Sequence, residues 1–351
     1  MKRKYIIPIF IPHYGCKNEC VFCNQKNITG QTSQMKAGDI RKIIDEYLEN
    51  FIHETVEKEI AFFGGSFTGI DRAKQEKFLS IANEYINEGK VSSIRISTRP
   101  DYIDKEILKF LKQYNVKTIE LGVQSSNDLV LEKAKRGHDF NAVVKASKLI
   151  RRKGFILGHQ MMVGLPDSTK QDEINTAIAL TKLKPKMIRI YPVLVLKDTE
   201  LEKMYKDGEY QPLTLEQAVD RVKELYYIFD KKRIKIIRVG LQNTDDITSA
   251  KNEKSTVVAG PYHAAFRQLV ESAMWYDALV NKVKPENVRS KEIEVRVHPE
   301  NINNIIGHKK ENITRIKELY DVDIKVIEDF EMKKEKLKTT VLSNYNEFLD
   351  E

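Results

Sequence analysis

The 351-residue chain contains only three cysteines, and none lies beyond residue 23. That scarcity excludes a disulfide-stapled scaffold and any second metal centre built on thiolates. No run approaches the ~20 apolar residues needed to span a bilayer, and the N-terminus lacks the long apolar segment and small-residue cleavage site of a signal peptide. These absences exclude helical insertion into a membrane and export by such a signal, so a cytoplasmic protein is expected. Hydrophobic residues make up 41% of the chain, enough for a sizeable core, and the length suits about two or three domains.

The three cysteines crowd into one stretch, Gly15-Cys-Lys-Asn-Glu-Cys-Val-Phe-Cys23, just after an apolar run. Three thiolates at Cys-x3-Cys-x2-Cys spacing can hold three irons of a four-iron, four-sulfur cluster and leave the fourth iron open for chemistry. A structural zinc site completed by His13 is a second possibility, although zinc sites usually come as paired knuckles. Three unrelated buried thiols are a third. The pattern, including the aromatic Phe22 before the last cysteine, resembles the radical S-adenosylmethionine (radical SAM) superfamily. The resemblance implies Cys16, Cys20 and Cys23 as cluster ligands and SAM bound at the open iron. It also implies reductive cleavage of SAM to a 5′-deoxyadenosyl radical, and an electron donor of the flavodoxin or ferredoxin type.

Short β-branched runs alternate with longer amphipathic stretches, as in a parallel sheet. Strands are expected over 5–11, 59–63, 93–97, 118–123, 155–162 and 187–192, and helices over 37–51, 74–87, 105–113 and 140–153. Six βα units make three quarters of a barrel. The fold expected for residues 1–200 is therefore an α/β partial (β/α)6 barrel, with functional residues at the strands' C-terminal ends.

Several motifs fall at those ends. Gly64-Gly65-Ser66 resembles the Gly-Gly-Glu segment with which the superfamily holds the SAM ammonium, with serine replacing the glutamate. Ser97 and Arg99 in Ser-Thr-Arg-Pro-Asp101, and Gln124 in Leu121-Gly-Val-Gln-Ser125, resemble strand ends lining the SAM pocket. There Arg99 would pair with a carboxylate and Gln124 would bridge ribose hydroxyls. The 159–166 segment resembles the one that packs on adenine. Each of these can equally be an ordinary post-strand turn or a satisfied polar residue.

Beyond Leu201 the barrel pattern fades. Ala259-Gly-Pro-Tyr262-His263-Ala-Ala-Phe266, with the motifs above, resembles the Elongator catalytic subunit group over residues 5–283, which makes Tyr262 and His263 catalytic candidates. Residues 201–286 then form a C-terminal extension. The chain ends at Glu351 with no room for the acetyltransferase domain of Elongator, so complete acetyl-CoA-dependent carboxymethylation is not expected. No cysteine is left for an auxiliary cluster of the methylthiotransferase kind, nor to carry a methyl group.

Residues 287–351 read as strand 292–298, helix 299–306, helix 311–320 and strand 322–327, a small α+β module. Ile305-Ile-Gly307-His308-Lys309-Lys310-Glu-Asn-Ile313 resembles the Ile-Ile-Gly-x-x-Gly-x-x-Ile centre of a KH domain, whose turn clamps single-stranded nucleotides. Lys310 stands where the second glycine would be. This segment lacks the positive excess of an RNA-binding module: it carries 12 Lys/Arg against 14 Asp/Glu, leaving +10 on residues 1–286. The basic runs lie at Lys145, Lys148, Arg151, Arg152 and Lys153, and at Lys231, Lys232, Arg233 and Lys235; such runs are usually solvated helix faces. The function expected is modification of an RNA nucleotide, in tRNA or rRNA, by a radical SAM enzyme. The alternatives are a radical SAM enzyme acting on a small molecule or protein with a structural tail, and a non-enzymatic RNA-binding iron–sulfur protein.

Overall fold

The computed structural model describes residues 4–11, 16, 19–23, 35–51, 56–241, 255–283, 291–334 and 337–341. It divides into two compact units, Met1–Ala264 and Ala265–Glu351.

In the first unit, β1 (Lys4–Ile11), α1 (Ala37–Glu49), β2 (Glu57–Gly64), α2 (Arg72–Asn87), β3 (Ser93–Thr98), α3 (Lys105–Gln113) and β4 (Val116–Gln124) follow in order. Then come α4 (Asp128–Lys133), α5 (Phe140–Arg152), β5 (Ile156–Val163), α6 (Lys170–Lys182), β6 (Met187–Pro192), β7 (Val195–Leu196), α7 (Glu200–Lys206), α8 (Leu215–Lys231), β8 (Lys235–Val239) and β9 (Val257–Ala259). Strands β1 to β6 and β8 form one parallel sheet in chain order, curled into a partial barrel, and β7 pairs antiparallel with β9. The expected six βα units fall one strand short, because β8 extends the sheet after α8. Its apolar core of three residues sits behind the charged run at 231–235, which hides the strand in the sequence.

Helix starts follow local chemistry. Asp71, Asp104 and Asp139 each accept a hydrogen bond from backbone N–H groups in the first turn of α2, α3 and α5, while Thr169 and Thr214 close capping boxes on α6 and α8. Alternation along the strands separates two faces. The outer face puts Ile7, Ile9, Ile60, Phe62, Ile94, Ile96, Ile119, Leu121, Met161, Ile188 and Ile190 in the core, each buried to within about 1%. Burial of one such side chain contributes roughly 1.5–3 kcal/mol. His159 lies on this face too. It is fully buried 2.9 Å from the Ser147 hydroxyl of α5, and burial pushes it down to about 3, so it is a neutral core residue and turns away from any adenine site.

The inner face is polar. Arg95 donates to Glu59 at 2.8 and 2.6 Å and to Glu120 at 2.6 Å, and Arg189 donates to the two oxygens of Glu120 at 2.5 and 3.2 Å. Ser93 and Thr118 hydroxyls complete Glu59, and the Gln160 amide reaches Glu120 at 3.3 Å. Burial alone would push the Glu120 carboxyl up, but Arg189 and Arg95 outweigh it and hold the group below the usual carboxylate range. A Cβ on Gly158 would stand 2.9 Å from Cγ of Glu120, so the glycine makes room for this side chain.

The second unit holds α9 (Phe266–Val283), β10 (Glu292–Val297), α10 (Ile302–Ile306), α11 (Glu311–Tyr320), β11 (Asp323–Glu328) and β12 (Leu337–Val341). The sheet order is β11-β10-β12, with β10 parallel to β11 and antiparallel to β12. The helix expected over 299–306 is split into a 3₁₀ turn, Pro299–Asn301, and α10. Helix α9, which falls in the expected extension, buries Leu279 and Val283 with Ile293, Val295, Ile305 and Ile316, so the division between units falls before it and not at 286/287, which lies outside the described residues.

Candidate active site at the barrel mouth

Parallel strands deliver all their C-terminal ends to one edge of the sheet, so the cysteine stretch after β1 meets the turns after β2, β3 and β4. Val21 anchors that stretch. It is buried against Val130, Ala134, Val193 and Leu201, its N–H donates to the Ala134 carbonyl at 3.3 Å, and its own carbonyl accepts from Leu201 N–H at 2.8 Å. Cys23 N–H donates to the Cys20 carbonyl at 3.0 Å, folding the last two cysteines into a tight turn.

Ser66 is 3% exposed, and its hydroxyl lies 3.2 Å from the Cys16 sulfur, so the residue standing in place of glutamate touches the cysteine stretch directly. Gly64 takes φ +104°, and a Cβ there would sit 2.5 Å from the Ile11 carbonyl, which instead accepts from Gly65 N–H at 3.1 Å. The two glycines thus clamp the end of β2 onto the end of β1. The hydroxyls of Thr68 and Thr98 meet at 2.6 Å, linking the next two turns.

Arg99, 3% exposed, holds Asp101 through Nε and Nη2 at 3.0 Å each, so its carboxylate partner comes from its own turn. Burial opposes its charge, yet Asp101 keeps the guanidinium above its ordinary value. Nη1 of Arg99 and Oε1 of Gln124 are buried without a hydrogen-bond partner among the described residues. Gln124 also has φ 73°, a left-handed conformation costly for a side-chain-bearing residue. Ser97 lines the inner face and accepts from the Gln160 amide at 3.4 Å.

Arg136, between α4 and α5, belongs to this site although its sequence context gives no hint of it. It donates to the Cys20 sulfur at 3.2 Å, to the Gly122 carbonyl at 2.7 Å and to His138 Nε2 at 3.4 Å. A Cβ on Gly122 would lie 3.2 Å from its Nη2, so that glycine allows the approach. Burial and Arg136 push His138 down to about 4, leaving a neutral ring able to accept. A guanidinium beside a sulfur favours the thiolate that a cluster needs.

The other candidates lie apart. Tyr262 packs on Leu194, Leu196 and Val257 beside the β7–β9 pair, with His263 half-buried after it. Gly307, His308, Lys309 and Lys310 belong to the second unit. His13 lies outside the described residues. Among the described residues no three Cys, His, Asp or Glu side chains converge as they would around a single metal ion. The basic residues 151–153 and 231–235 are exposed where α5 and α8 hand over to β5 and β8, at the end of the barrel opposite the cysteines.

Residues 10–178 match the radical SAM superfamily and residues 185–276 the radical SAM C-terminal domain. An uncharacterized protein of Methanocaldococcus jannaschii is 31% identical over 63% of this chain and 72% of its own length. A tRNA uridine(34) acetyltransferase of the same organism is 33% identical over 50% of this chain, which spans only 36% of that protein. The solved structure of Elp3 from Methanocaldococcus infernus superposes with a TM-score of 0.63 at 24% identity, covering 80% of this chain and 64% of the other. The cofactors are those of the family, a [4Fe–4S] cluster and SAM. The mouth fits them: three cysteines with one sulfur under a guanidinium, and two buried polar atoms, Arg99 Nη1 and Gln124 Oε1, that lack partners within the chain. The chain belongs to the radical SAM superfamily, in the group that resembles the Elongator catalytic subunit.

Proposed function

We propose that this radical SAM enzyme modifies a nucleotide of RNA, with tRNA the first candidate and a flavodoxin or ferredoxin as electron source, in the cytoplasm. The observation that carries the RNA half is the turn after α10. Gly307 has φ +80°, and Lys309 and Lys310 both follow in left-handed conformations, φ 50° and 66°, with their ammonium groups exposed. The backbone therefore makes the strained turn expected of a KH centre even without its second glycine, and it holds two cations at the bend. The likeness to a tRNA uridine(34) acetyltransferase points the same way. No helix among the described residues is long and apolar enough to cross a membrane.

Cys16, Cys20 and Cys23 would hold the cluster, Arg136 would stabilise the sulfur of Cys20, and Ser66, Arg99 and Gln124, with the Gly64–Gly65 turn, would bind and orient SAM. Together the bound cofactors supply one-electron cleavage of SAM and hydrogen abstraction. Nucleoside mass spectrometry of tRNA and rRNA from cells with and without the gene tests the proposal: one modified nucleoside should disappear and return on complementation with the wild type but not with Cys20→Ala. Identical nucleoside profiles would refute it.

One observation favours a second reading, a small-molecule substrate. A cavity of about 920 Å³ beside the cysteine stretch is lined by Glu19, Asp101, Asp128, Glu132, Asp139 and Glu200, with Lys135 and His138, an acidic wall unlike an RNA groove.

A further inference from the structure

The inner face of the barrel carries more positive charge than its own carboxylates balance. Register places Arg238 of β8 directly beside Arg189 of β6, as Cα partners in parallel strands, so both side chains project from the same face. Across the middle of that face three guanidinium groups, Arg95, Arg189 and Arg238, stand against two carboxylates, Glu59 and Glu120. Arg95 bridges the two carboxylates, and Glu120 is further engaged by Arg189 and Gln160. Both carboxylates are thereby saturated, 1% and 0% exposed, and neither is left to neutralise a third cation.

The surroundings are those of a binding site. Tyr191, two residues beyond Arg189 toward the mouth, is half-buried beside both guanidinium groups; burial raises its phenol, and Arg189 and Arg238 pull it back. Burial and the neighbouring Arg189 hold Arg238 below its ordinary value, although Tyr191 opposes them, so two cations share a poorly solvated space. On the other side Arg189 lies 4.9 Å from the Phe63 ring centre, and the Phe10 and Phe63 rings are 6.1 Å apart, an aromatic wall still half-open to a ligand. A fold keeps an uncompensated like-charge pair where an anion completes it.

We propose that the barrel interior binds a small organic anion, a carboxylate or phosphate, between Arg189, Arg238 and Tyr191, with its apolar body against Phe10 and Phe63. Such an anion would be a substrate or co-substrate seated beneath the mouth. The proposal rests on the barrel being the reaction chamber and not on RNA being the substrate. It places a specificity determinant on β8, a strand without any recognisable motif.

Full-length protein without RNA supplies the test. Malonate, acetate and inorganic phosphate, each against chloride at equal ionic strength, are titrated by calorimetry and thermal shift into wild type, Arg238→Gln and Arg238→Lys. At least one oxyanion should bind wild type saturably and raise its melting temperature, with the carboxylates and phosphate distinguishing the two chemistries. Arg238→Gln should lose about tenfold or more in affinity at an unchanged melting temperature, and Arg238→Lys should recover part of it. No saturable oxyanion effect on wild type, or equal affinity in wild type and Arg238→Gln, overturns the proposal. RNA modification is read separately, so loss of the anion site leaves the RNA assignment standing.

Discussion

The two ends of the barrel spend their polar groups differently. Where the strands begin, Arg151, Arg152, Lys153, Lys231, Lys232 and Arg233 are exposed at or just past the ends of α5 and α8, where cations complement the carbonyl ends of helices. Where the strands end, charge is sparser, but Arg99 Nη1 and Gln124 Oε1 are buried without partners and Gln124 is left-handed. Density of charge marks helix termini; unsatisfied polar atoms and strained backbone mark the place prepared for a ligand. The RNA footprint inferred from basic runs along the sequence therefore sits at the wrong end of the barrel to serve its mouth.

The largest expected effect lies at the mouth. Anaerobically reconstituted wild type should hold about four irons and four sulfides per chain and, when reduced, produce 5′-deoxyadenosine from SAM. Cys16→Ala, Cys20→Ala and Cys23→Ala should each abolish both while the far-ultraviolet circular dichroism stays that of wild type. Iron retained in all three would remove the cysteine end from consideration.

Between the two ends, the buried network sets stability. Glu120→Gln leaves Arg95 and Arg189 short of one carboxylate and should cost roughly 3–5 kcal/mol in urea unfolding. Because the Glu120 carboxyl is held below its usual range, its contribution is full above the ordinary glutamate pKa and is lost as pH falls through the folded value. Acidification should thus narrow the gap between variant and wild type. A gap that widens on acidification would place the stabilising charge elsewhere.

Next come the unpartnered groups. Arg99→Ala and Gln124→Ala should each weaken SAM binding about ten- to hundredfold with the iron content unchanged, the loss of one charge-assisted hydrogen bond being roughly 1.5–3 kcal/mol. Replacing Arg151, Arg152 and Lys153 together with alanine should leave SAM affinity unaltered. If the triple variant loses SAM and the mouth variants do not, the contrast between the ends is reversed.

Much of this was legible in the sequence because it was local. The run 187–192 and the helix 105–113, capped by Asp104, appear at their expected bounds, and the cysteine spacing announced its chemistry. What could not be read is non-local. Arg136 meets Cys20 across 116 positions, through space opened by Gly122. Arg189 and Arg238 alternate with apolar residues as surface strand residues would, and only closure of the sheet turns that face into an interior. His159 was misplaced for the complementary reason: strand parity, invisible until the register is fixed, points it at α5.

The smallest effect separates geometry from charge in the second unit. A non-glycine residue in the left-handed region costs roughly 1 kcal/mol, and Lys310 sits there at φ 66°. Lys310→Gly should relieve that strain and stabilise the unit by about 0.5–1 kcal/mol, while removing one cation from the bend. If the turn grips RNA as a KH centre does, the variant should keep binding single-stranded RNA, and the slope of log affinity against log salt should fall by about 0.7, the contribution of one phosphate contact. Lys309→Asp with Lys310→Asp should lower it by about twice as much and weaken binding further. An unchanged salt dependence in both variants would leave the two lysines as a strained connection between α10 and α11. The small-molecule reading, with the oxyanion site in the barrel, would then account for more of the molecule than the RNA reading does.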